Sequence, residues 1–102
     1  MPDEEKKLRI KIKSVQRLVK ERNHYTREIE KMRNELNELK EHDPDDYDIK
    51  KKEEILEETI ITRETTKQLV TKFTEELKKH IVPYLETGDL SEEIIDEINS
   101  IE

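Results

Sequence analysis

Three histidines, a row of basic side chains and a cluster of aspartates are the residues here with types suited to chemistry. His24, His42 and His80 lie far apart, and none has a nucleophile or cofactor-binding motif beside it. Acid–base work needs such a partner, so they read as partly exposed helix residues. Asp43, Asp45 and Glu54 imitate parts of a calcium loop, but Asp48 stands where the turn glycine is required. Those aspartates fit helix capping better. There is no cysteine, hence no disulfide and no thiolate ligand. Neither a glycine-rich phosphate loop nor zinc spacing is present. The expectation is a protein that is not an enzyme and has no metal site and no cofactor.

The basic row is the more unusual feature. Lys6, Lys13, Arg17, Lys20, His24, Arg27 and Lys31 follow at steps of seven, four, three, four, three and four, with Ile10 filling the gap. On a helix that spacing makes one stripe. Two readings stand. A single-sign stripe in a chain of net charge −7 suits an acidic partner. Alternatively, it is the ordinary solvated face of a coiled coil.

Long helices must carry this row. Charged residues make up 46% of the 102 positions and aromatics 4%, too polar a mixture for a thick core. With only one glycine and three prolines, the chain reads as thin helices rather than disorder. Leu8, Val15, Arg22, Ile29 and Leu36 repeat every seven residues, and Leu18, Tyr25, Met32 and Leu39 follow three behind. This pattern predicts a first helix over about 6–41 with a buried seam. Asp43 as cap and Pro44 at the first helical position predict a second helix over about 44–82, stopped or kinked by Pro83. Its seam is Ile49, Leu56, Arg63, Val70, Leu77 and Tyr84, and its threonine-rich middle, Thr59 to Lys67, is its weakest stretch. Asp89, with Glu92 in a capping box, opens a short third helix over about 90–101. Arg22 and Arg63 either form a polar layer that sets register or extend to the bundle edge.

The fold class is therefore all-α: a single domain over 1–102, an elongated, antiparallel, coiled-coil-like bundle of two long helices and one short one. A turn centred on Asp43 sets Leu18 opposite Leu69 and Met32 opposite Ile55. The third helix covers only the end that holds Leu8, Ile12, Phe73 and Leu77. The Asp43 end is left as a two-helix hairpin, which either binds a partner or stands as a thin coil.

Two stretches resemble the signature regions of tubulin-binding cofactor A. The first runs from Ile10 through Lys13, Arg17 and Lys20 to Glu21, followed by Tyr25. The second runs from Tyr47-Asp48-Ile49-Lys50-Lys51 through Glu54 to Glu58 and Thr59. Their order, and the short acidic turn between them, fit that family. The resemblance implies a three-helix chaperone that captures β-tubulin and hands it on in heterodimer assembly, meeting other tubulin folding cofactors only indirectly. It implies contacts on helices rather than turns. The expected partner surface is Ile10, Lys13, Arg17, Lys20, His24, Arg27 and Lys31 on the first helix. Tyr47, Asp48, Lys50, Lys51, Glu54 and Glu58 supply it on the second. Glu64 stands where the family usually has a proline, and Lys52 where it often has glutamine.

The acidic total weighs against nucleic-acid binding. No apolar run nears the roughly 20 residues that span a bilayer, and no signal peptide opens the chain. A cytoplasmic, cytoskeleton-associated protein is expected, as monomer or homodimer. The alternative is a structural coiled-coil module or adaptor that self-associates through its hairpin end.

Overall fold

A computed structural model describes residues 2–88 and 90–101 of the chain. Three helices follow in order: α1 Pro2–His42, α2 Asp48–Thr87 and α3 Glu92–Asn99. No strand occurs among the described residues. The all-α class with two long helices and a short third is thus as the heptads require.

The helix ends differ from those expected, for local reasons. α1 ends at His42, where Pro44 disfavours helical backbone at the residue before it. Residues 43–47 form a turn rather than the start of α2. The Asp46 amide donates to the Asp43 carbonyl at 3.1 Å, and the Asp46 carboxylate accepts the Asp48 amide at 2.8 Å. Asp46, not Asp43, therefore satisfies a free donor at the start of α2. At the other end Pro83 does not stop α2, which continues to Thr87. A proline removes one backbone bond. Buried Ile81 and half-buried Tyr84, whose hydroxyl donates to Glu4 at 3.3 Å, still anchor this turn. The helix closes on Gly88, at φ 73°, whose amide donates to the Tyr84 carbonyl at 2.9 Å.

α3 begins two residues later than expected. Its cap is Ser91, whose hydroxyl accepts the Ile94 amide at 3.4 Å. Asp89, the expected cap, lies outside the described residues.

The threonine-rich middle of α2 stays helical. Thr59, Thr62, Thr65 and Thr66 each donate a hydroxyl to the carbonyl four residues back, at 2.9–3.0 Å. That bond satisfies the side chain without leaving helical geometry. α2 also runs unbroken through Glu64.

The chain divides into two compact units. Met1–Lys20 and Lys67–Glu102 make the first, Glu21–Thr66 the second. In the first, Leu8, Ile12, Val15, Val70, Leu77 and Ile81 pack against Leu90, Ile94, Ile98 and Ile101 from the α3 region. Each such side chain stabilises by about 1.5–3 kcal/mol when fully buried. α3 packs here, on the Leu8–Leu77 core, as its apolar face requires. The second unit is built from α1 and α2 alone. Ile29, Leu36 and Thr66 are its buried residues, while Tyr25, Met32, Leu39, Ile49, Leu56 and Ile60 are half-buried.

The facing register is displaced from the one expected. Lys40 pairs with Glu53 at 2.8 Å, whereas a turn centred on Asp43 would set Tyr47 opposite it. Leu18 shares a groove with Phe73, about one helical turn beyond Leu69. Leu69 and Ile55, expected opposite Leu18 and Met32, are 36% and 43% exposed. In both pairings the partner on α2 lies further along the chain than a turn centred on Asp43 would set it.

Candidate functional site

In the first unit, Lys6, Ile10, Lys13, Arg17 and Lys20 are all exposed on α1. Leu8, Ile12 and Val15 bury the opposite stripe and fix the rotation of the helix. Ile10 is 59% exposed amid the lysines. From Lys6 to Lys20 there are seven basic residues and no acid. Lys13, Arg17 and Lys20 have no ion-pair partner among the described residues. Their charges are therefore available to a partner.

In the second unit the remaining row, His24, Arg27 and Lys31, is also exposed. Its surroundings differ. Arg27 and Lys31 flank a shallow depression together with Glu30, Glu35 and Glu38. The field there is of mixed sign, while the Lys6–Lys20 stretch is of one sign.

The second expected stretch also lies in this unit. Tyr47, in the turn before α2, is 90% exposed, and Asp48, Lys50, Lys51, Glu54 and Glu58 are exposed behind it. Ile61, 59% exposed, belongs with these residues and was missed by reading the seam alone. The signal lay in its spacing. It follows Glu54 by seven residues and Glu58 by three, which sets it on their face. Of Ile60 and Ile61 only the first is half-buried.

Arg22 donates to the Asn23 amide oxygen at 3.1 and 3.3 Å, and Arg63 pairs with Glu64 at 3.2 Å. Among the described residues no cluster of histidine and carboxylate side chains is arranged to hold a metal ion. Nor is any helix among them long and apolar enough to cross a membrane. What the surfaces offer is recognition: cationic groups, the exposed Ile10 and Ile61 and the exposed Tyr47, held on helices or at a helix start.

A family model described as Tubulin binding cofactor A matches residues 3–99. The Tubulin-specific chaperone A of Saccharomyces cerevisiae is 35% identical over 86 residues, covering 83% of this chain and 81% of that protein. No solved structure gives a significant match.

Proposed function

The chain belongs to the tubulin binding cofactor A family, and on that premise we propose that it is a folding cofactor that captures β-tubulin in the cytoplasm and passes it on during heterodimer assembly. The observation that carries the reading is the acid-free row on α1, with Lys13, Arg17 and Lys20 unpaired and Ile10 exposed among them. Cationic side chains around an apolar residue suit a partner surface with carboxylates around an apolar patch. Such complementarity speeds encounter and fixes register. In this reading Tyr47, Asp48, Lys50, Lys51, Glu54 and Glu58 supply a second contact, with Ile61 added to it. Chemistry on the bound chain plays no part, so turnover and nucleotide dependence are not expected.

Gel filtration with purified tubulin tests the proposal. A complex containing β- but not α-tubulin supports it. A chain that elutes larger than a monomer and carries no tubulin would favour the self-associating module and sink this reading.

A further inference from the structure

The α1–α2 pair of the first unit is covered by a third helix on one flank. Arg9 marks that flank, since its guanidinium meets Glu93 at 3.7 Å and Glu97 at 3.9 Å. Helical rotation of about 100° per residue carries Ser14 and Leu18 to the other side of the buried Leu8–Ile12–Val15 row. There the two helices leave a groove of about 420 Å³, with Val15, Leu18, Phe73 and Leu77 among its lining. Lys11 and Glu76 also line it. Lys7 stands one turn before Lys11, and Lys72 and Lys79 stand one turn on either side of Glu76, all exposed. The groove thus has an apolar floor, and at its edge Lys11, His80 and the Lys72 ammonium, 5.8 Å over the Phe73 ring, stand around the carboxylate of Glu76.

The same unit shows what such a flank accepts. α3 carries four acids and no base from Glu92 to Glu97. α3 packs through Ile94 and Ile98 and sets Glu93 and Glu97 against Arg9. We propose that the open groove receives an acidic amphipathic helix of a partner protein, docked as a fourth helix against α1 and α2. Its apolar ridge sits on Leu18, Phe73 and Leu77, and its carboxylates meet Lys11 and Lys72. The acidic helix of a second copy is not free for this, because its Ile94 and Ile98 are already fully buried.

The test uses the full chain and a labelled synthetic helical peptide with leucines at i, i+3, i+4 and i+7 and glutamates beside them. A control peptide carries lysines in place of the glutamates. Anisotropy titration should show the acidic peptide binding roughly tenfold or more tightly than the control. Amide resonances of Ser14, Leu18 and Phe73 should shift, while those of Ile94 and Ile98 stay in place. Ser14 is exposed, so Ser14→Trp fills the groove and should keep helicity while weakening the acidic peptide by about tenfold or more. Lys11→Glu should weaken it without adding bulk. Equal binding of the two peptides, no binding, or binding undiminished by Ser14→Trp overturns the proposal. So does a self-associated chain that Ser14→Trp returns to monomer, which would assign the groove to a second copy. No tubulin enters this assay, so its outcome is independent of the tubulin test.

Discussion

Gly88 and Thr74 illustrate how single residues act in the first unit. Gly88 holds φ 73°, and a methyl group there would meet nothing within 4 Å. The cost of Gly88→Ala is therefore one of backbone conformation, about 1–2 kcal/mol for a left-handed residue with a side chain. Urea denaturation should show that loss with an unchanged m-value. Thr74 is the opposite case. It is buried, and its hydroxyl has no hydrogen-bond partner among the described residues. A buried unmade bond costs about 1–3 kcal/mol. Thr74→Val keeps the shape and removes the hydroxyl, so the midpoint of denaturation should rise, by about 1 kcal/mol in stability. A lowered midpoint would mean that the hydroxyl is satisfied in solution.

α3 is an element that cannot stand alone. Eight residues are too few for an isolated helix in water. Its stability comes from Ile94 and Ile98, which are fully buried, while its Arg9 ion pairs lie near the surface and add at most about 1 kcal/mol each. Ile98→Ala should cost about 2–5 kcal/mol, as large-to-small core changes do. Deleting everything after Gly88 should lower the melting temperature further, because it uncovers Leu8 and Ile12 as well. An unchanged melt after the deletion would show that α3 is not docked in solution. The second unit has no third helix, so neither change should weaken the Lys40–Glu53 end directly.

Charge is the property that belongs to the whole molecule. The chain is acidic overall at −7, yet its cationic residues gather in Lys6–Lys20 and its acids dominate after Glu86. Lys13→Glu, Arg17→Glu and Lys20→Glu together change only exposed positions, so the fold should be spared to within about ±0.5 kcal/mol per site. Binding of β-tubulin should weaken by about tenfold or more, since like charges across an interface cost several kcal/mol. Binding by the unaltered chain should also fall as salt rises, because exposed charges are screened beyond about 8–10 Å near physiological ionic strength. Circular dichroism and a salt series on the same complex check both. A triple variant that folds and binds as before moves the contact to Tyr47–Glu58 and Ile61.

The heptads alone determined that Leu8, Val15, Ile29 and Leu36 face inward and that Lys13, Arg17 and Lys20 face outward. Helical periodicity is local, and 41 unbroken residues of α1 repeat it many times. The short α3 was legible for the same reason, from isoleucines that cannot stay in water. Register was not legible. It depends on where the turn begins and ends, and residues 43–47 were divided by the backbone geometry around Pro44 and Asp46, which propensity does not resolve. One displaced turn moved Leu18 from Leu69 to Phe73. Pro83 likewise reads as a stop or a kink until the packing of Ile81 and Tyr84 is known. The groove beside Leu18 and the exposure of Ile61 belong to the same class. Each depends on which face of α2 meets α1, and only the packed pair decides that, because burial is a property of two surfaces together.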